Sequence, residues 1–124
     1  TPAPWPGALS GTRIKLFDEE DRERIVIAEG IETAIATKLM FYREIDISVW
    51  SVLSASGIQC FDPPPGCREV LVYGDNDVTR ASRGAAEKLR ERFRDKEINV
   101  EYIEPANQGE DWLDVWKRDK RKVG

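Results

Sequence analysis

Two aspartates separated by a single residue, Asp75 and Asp77, follow directly on the apolar run Glu69-Val70-Leu71-Val72-Tyr73-Gly74. In extended or turn backbone, residues i and i+2 point the same way, so this pair can converge on one hard cation while Asn76 faces elsewhere. All-oxygen donors of this kind suit magnesium. The plainer alternative is an acidic turn capping the next helix, since Asp and Asn are favoured at such positions. A third carboxylate separates the two readings. Arg24-Ile25-Val26-Ile27-Ala28 is another short apolar run, and it ends in Glu29-Gly30. Two strands that each end in an acid and lead into a helix are parallel neighbours under the right-handed crossover rule. That places Glu29 and the Asp pair on the same sheet edge, the one where open α/β folds do chemistry. Three clustered carboxylates repel one another, and a bound divalent cation relieves that cost.

The elements that position these acids can be read along the chain. Arg13-Ile14-Lys15-Leu16-Phe17 alternates polar and apolar as an edge strand does, and Asp18 to Glu23 forms a solvated acidic turn. After Gly30, Ile31, Ala34, Ile35, Leu39 and Tyr42 recur at helical spacing and predict an apolar face packed on the sheet. Val49 to Leu53 reads as the next strand. It ends in Ser54-Ala55-Ser56-Gly57, small residues that allow either a phosphate-contacting loop or an ordinary turn. Asp62-Pro63-Pro64-Pro65-Gly66 is a stiff spacer before the Asp-pair strand. From Arg80 to Lys96, the stripe Ala81, Ala85, Leu89, Phe93 predicts a second crossover helix, with small residues at 84 to 86 permitting close packing. Ile98 to Ile103 is a further core strand. A polar loop then carries Glu110-Asp111 into a helix that Trp112 and Trp116, at i and i+4, pin to the domain.

Composition sets bounds on partners. At 124 residues, 40% hydrophobic and 34% charged, the chain fits one domain with one core. A net charge of −4 argues against a module that grips nucleic acid by charge alone. Basic residues do crowd the 80–94 helix and the C-terminus. Most read as a solvated face laced with Glu87 and Glu91 plus a tail, and Arg80 and Arg83, nearest the acids, are the candidates for nucleic-acid contact. With no His and only Cys60 and Cys67, the chain lacks the ligands of a structural zinc site, and two reduced thiols are expected. No apolar run approaches transmembrane length, and with two reduced thiols a cytoplasmic protein is expected. A first residue of Thr and no leader pattern suggest a fragment of a larger protein, with an irregular lead-in at 1–12 that holds Trp5.

Taken together, Ala28-Glu29-Gly30-Ile31-Glu32-Thr33-Ala34, Tyr73-Gly74-Asp75-Asn76-Asp77, Gly84-Ala85-Ala86 and Glu110-Asp111-Trp112-Leu113-Asp114 resemble the TOPRIM domain shared by primases, topoisomerases and related nucleases. The likeness is to the module of phage and mobile-element primase–helicases. It covers residues 13–116, leaving 117–124 as a basic tail, and Leu113 departs from the Asn usual in that subfamily's Asp-Trp-Asn-Asp motif. The resemblance implies a Rossmann-like α/β fold, a mainly parallel central sheet of about four strands with helices on both faces. It also implies Mg2+-dependent nucleotidyl transfer in RNA primer synthesis, with Mn2+ as a substitute ion. Asp75 and Asp77 would ligate the metal, Glu29 would be a further ligand or a general acid/base, and Asp111 would be a later acid added to the site. The implied partners are a single-stranded DNA template, nucleoside triphosphates, and helicase and zinc-binding modules elsewhere in the parent protein.

Two other classes compete. Asp75-Asn76-Asp77-Val78-Thr79 also fits the D-x-D-x-T nucleophile motif of haloacid-dehalogenase-like phosphatases, although that motif normally opens its fold and here a complete strand–Glu-Gly–helix unit precedes it. The other class is a non-catalytic TOPRIM interaction module, against which the intact acidic set argues.

Overall fold

The computed structural model describes residues 13–75, 81–107 and 109–123. Along them run β1 (Ile14–Phe17), β2 (Arg24–Ala28), α1 (Ile31–Phe41), β3 (Ser48–Ser51), α2 (Ala55–Gln59), β4 (Glu69–Tyr73), α3 (Ala81–Arg92), β5 (Asn99–Ile103) and α4 (Trp112–Val123). The expected lead-in at 1–12, with Trp5, lies outside the described residues, as do Asp77 and Arg80.

The strands form one five-stranded sheet in the order β1-β3-β2-β4-β5. β3, β2, β4 and β5 are mutually parallel, which meets the expectation of about four strands. β1 adds an antiparallel edge against β3, as its alternating pattern predicts. In the central strand, Ile25, Val26, Ile27 and Ala28 are all 0% exposed, the burial on both faces that a continuous apolar run requires. Alternate side chains serve opposite layers. Ile25, Ile27, Trp50, Val70, Val72 and Val100 pack with Ile58 of α2 and Ala85, Ala86 and Leu89 of α3. Val26, Ala28, Val49, Leu71 and Tyr73 pack with Ala34 and Ala36 of α1 and Trp112 and Val115 of α4. Helices therefore cover both faces, as in a Rossmann-like fold.

Four local expectations are corrected. In α1, Ile31, Ile35 and Leu39 are 39 to 41% exposed, and the residues turned to the sheet are Thr33, Ala34, Ala36 and Thr37. Small side chains let the helix lie close on the strands, and the Thr37 hydroxyl is satisfied by donating to the Ala34 carbonyl at 2.9 Å. The larger residues face outward, where Ile35 and Leu39 join Leu113 and Trp116 around a shallow groove of about 220 Å³. In α3, Ala85 and Leu89 are buried as expected, but Ala81 and Gly84 are exposed. A Cβ on Gly84 would meet nothing within 4 Å, so close packing there rests on Ala85 and Ala86. The 54–57 stretch is the start of a short helix. Ser54 caps it by accepting from Gly57 N–H at 3.0 Å, and a Cβ on Gly57 would lie 2.1 Å from the Val52 carbonyl oxygen. The 117–124 stretch, expected as a tail, continues α4 as far as Val123.

Both cysteines are free, Cys60 exposed and Cys67 buried. Among the described residues, no helix is long and apolar enough to cross a membrane.

Candidate metal centre

Ala28 at the end of β2 pairs in register with Tyr73 at the end of β4. Adjacent strands run about 4.8 Å apart, so Glu29 and Asp75, which follow those ends, share the carboxyl edge of the sheet as the spacing predicts. Both are partly exposed. Separate devices hold each one.

Glu29 is fixed at its main chain and at its side chain. The Ser51 hydroxyl donates to the Glu29 carbonyl at 3.2 Å, and the Ala28 carbonyl just before it accepts from Val52 N–H at 2.9 Å. The Glu29 carboxylate accepts a 2.6 Å hydrogen bond at Oε2 from the hydroxyl of Ser82, in the first turn of α3.

Asp75 is held from the far side of the sheet edge. The Trp112 backbone N–H, at the first residue of α4, donates to Asp75 Oδ1 at 3.4 Å. The helix dipole at that end favours a carboxylate. The Tyr102 hydroxyl reaches the Asp75 carbonyl at 3.5 Å. Its ring lies directly over Gly74, where a Cβ would come within 2.4 Å of the tyrosine oxygen. Glycine at 74 is thus required by the close approach of Tyr102 to the strand end.

Asp111 stands beside this contact as the cap of α4. Asp114 N–H donates to its Oδ1 at 2.7 Å, and its own N–H donates back to Asp114 Oδ2 at 3.3 Å. The Trp112 ring packs edge-on against Tyr73 and Phe41, with centroids 5.3 and 5.4 Å away. Tyr73 in turn shares a 2.9 Å hydroxyl–hydroxyl hydrogen bond with Tyr42. Burial, reinforced by that bond, pushes the Tyr73 phenol well above its ordinary value and keeps it neutral. This aromatic block seats α4 and with it the N–H that reaches Asp75.

Of the basic candidates, Arg83 lies 3.8 Å from Glu104 and is 43% exposed. Arg90 and Arg92 are exposed, as the sequence predicts of a solvated face, and they also tie α3 to its neighbours. Arg90 donates to the Val100 carbonyl, and Arg92 to the Gln59 and Phe61 carbonyls and to Asp62.

The residues present suit a hard divalent cation, because the edge offers carboxylate oxygens and the chain has no His. Among the described residues no three acids form a ready-made ligand group. Ser82, Tyr102 and the Trp112 N–H are the site residues that pattern reading misses. A serine in the first turn of a helix reads as a cap, Tyr102 lies in no motif, and the motif that holds Trp112 points to its acids and its ring rather than to its backbone N–H.

A family model described as Toprim domain matches residues 24–121, well over half of the chain. No curated protein and no solved structure matches it.

Proposed function

The chain belongs to the Toprim domain family, and on that premise we propose that it is the catalytic part of a DNA primase or primase–helicase of the phage and mobile-element type. The family occurs in primases, topoisomerases and nucleases, and its domains bind divalent metals such as Mg2+. The proposed reaction joins nucleoside triphosphates into an RNA primer on a single-stranded DNA template, each new phosphodiester bond releasing pyrophosphate, in the cytoplasm, with helicase and zinc-binding modules as partners. The observation that carries it is the placement of Glu29 and Asp75 at the carboxyl ends of the adjacent parallel strands β2 and β4.

Asp75, Asp77 and Glu29 would hold the cation, with Asp111 at the neighbouring helix end, and Mn2+ would substitute for Mg2+. When bound, the ion neutralises triphosphate charge and lowers the pKa of the attacking hydroxyl. The chain's own residues do the rest. Glu29 either ligates the cation or takes the proton of that hydroxyl. Asp75 is oriented by the α4 N-terminus and by Tyr102. Arg80 and Arg83 would contact template or triphosphate. The phosphatase alternative loses support, since Asp75 follows a complete β2–α1 unit and the family match spans both.

Primer synthesis by the protein that carries this domain tests the proposal, with Mg2+, nucleoside triphosphates and a single-stranded template. Glu29→Gln keeps the side-chain size and removes its charge. It is expected to lower the rate by about 100-fold or more with the circular dichroism spectrum unchanged. Strand cleavage without synthesis would move the chain to the nuclease branch of the family. Wild-type protein inert in both assays and binding no metal would leave the non-catalytic module.

A further inference from the structure

We infer that Ser82 is a positioning residue for Glu29, setting the orientation in which that carboxylate meets the cation. The inference rests on the metal-dependent reading above and adds a residue that no motif contains. Ser82 is 4% exposed, and its hydroxyl donates to Glu29 Oε2 at 2.6 Å across 53 residues of sequence. A hydroxyl bound to a carboxylate at that length is a strong, charge-assisted contact. Ser82 sits on α3, the helix that follows the Asp75 strand, whereas Glu29 follows the end of β2. The bond therefore ties the two acid-bearing units to each other at the sheet edge.

Its consequence is geometric. A glutamate side chain has three rotatable bonds, and ordering it costs free energy that must otherwise be spent when a ligand binds. Ser51 holds the Glu29 carbonyl and Ser82 holds its carboxylate, so the residue is anchored at both ends before any ligand arrives. Asp75 and Ser82 are each fastened to another part of the fold, Asp75 to the first residue of α4 and Ser82 to the residue that follows β2.

Manganese binding measured by calorimetry or by electron paramagnetic resonance tests this without needing turnover. Ser82→Ala is expected to weaken Mn2+ binding by about 10-fold or more, the usual effect of removing a residue that orients a metal ligand. Ser82→Thr, which retains the hydroxyl, should restore most of it. In a Glu29→Ala background, where there is nothing left to hold, Ser82→Ala should cause no further loss. A merely structural serine would weaken binding equally in both backgrounds, and that outcome, or wild-type affinity in Ser82→Ala, overturns the inference alone. Should Ser82→Ala fail to fold, Ser82→Cys, similar in size but a weak donor, enters the same cycle. A wild-type chain that binds no Mn2+ overturns the functional reading, and this inference with it.

Discussion

The β2–Glu29–α1 unit and the β4–Asp75–α3 unit are built alike, each a buried strand ending in an acid and leading into a crossover helix, yet the two helices meet the sheet by opposite means. α3 presses large and small apolar residues inward, with Leu89 at 0% and Ala85 at 6% exposure. α1 turns alanines and threonines inward and leaves Ile31, Ile35 and Leu39 outside. The same strand-end geometry is thus reached with a large apolar residue buried under one helix and small residues buried under the other. On the α1 side, Phe41, Tyr42, Tyr73 and Trp112 pack against one another as an aromatic block.

Substitutions that exchange the two designs should break this contrast in a fixed order, read as urea midpoints at constant slope. The largest effect is expected at Leu89, where truncation to Ala opens a cavity under α3 and costs about 2–5 kcal/mol. A loss below about 1 kcal/mol there would mean that α3 is not seated as described. Next comes Ala36→Leu, which inserts bulk at a buried position of α1 that borders the groove shared with Leu113 and Trp116, Ala36 being 1% exposed. Overpacking of that kind costs about 1–3 kcal/mol. If Ala36→Leu is neutral, the added bulk is taken up by that groove and the small residues of α1 are not a packing requirement.

Smaller changes sharpen the comparison. Gly84→Ala on α3 meets open space and removes a helix-interior glycine, so a gain of about 0.5–1 kcal/mol is expected. A loss would place Gly84 against something. Ile35→Ala deletes nearly as much apolar volume as Leu89→Ala but from a residue 39% exposed. Its cost should stay under about 1 kcal/mol. Equal costs at 35 and 89 would erase the distinction between the two helices.

Much of this was legible in the residues. The strand patterns at 13–17, 24–28 and 69–73 are each realised, because an apolar run short enough to be a strand and bounded by Gly or charge has few other uses. The alignment of Glu29 with Asp75 followed from connectivity alone. Helix orientation was less accessible. In α1 nearly every position outside Glu32 and Lys38 is apolar or small, so periodicity offered no single face, and the large residues were a misleading guide to it. In α3 the charged residues at 83, 87, 88 and 90–92 left one stripe, and its core at Ala85 and Leu89 could be named, though not Ser82 and Ala86 beside it.

By itself the sequence determined the α/β class, the parallel order of the two acid-bearing strands and the meeting of their ends at one edge. These depend on local pattern and chain handedness, which are written residue by residue. Only the tertiary structure decided which face of α1 is buried, that Tyr102 requires glycine at 74, that the α4 N-terminus reaches Asp75, and that Ser82 holds Glu29 across 53 intervening positions. Each of those is a contact between elements distant in sequence, made by a side chain or backbone group whose type is equally at home elsewhere. Its partner is fixed by packing, which no single segment encodes.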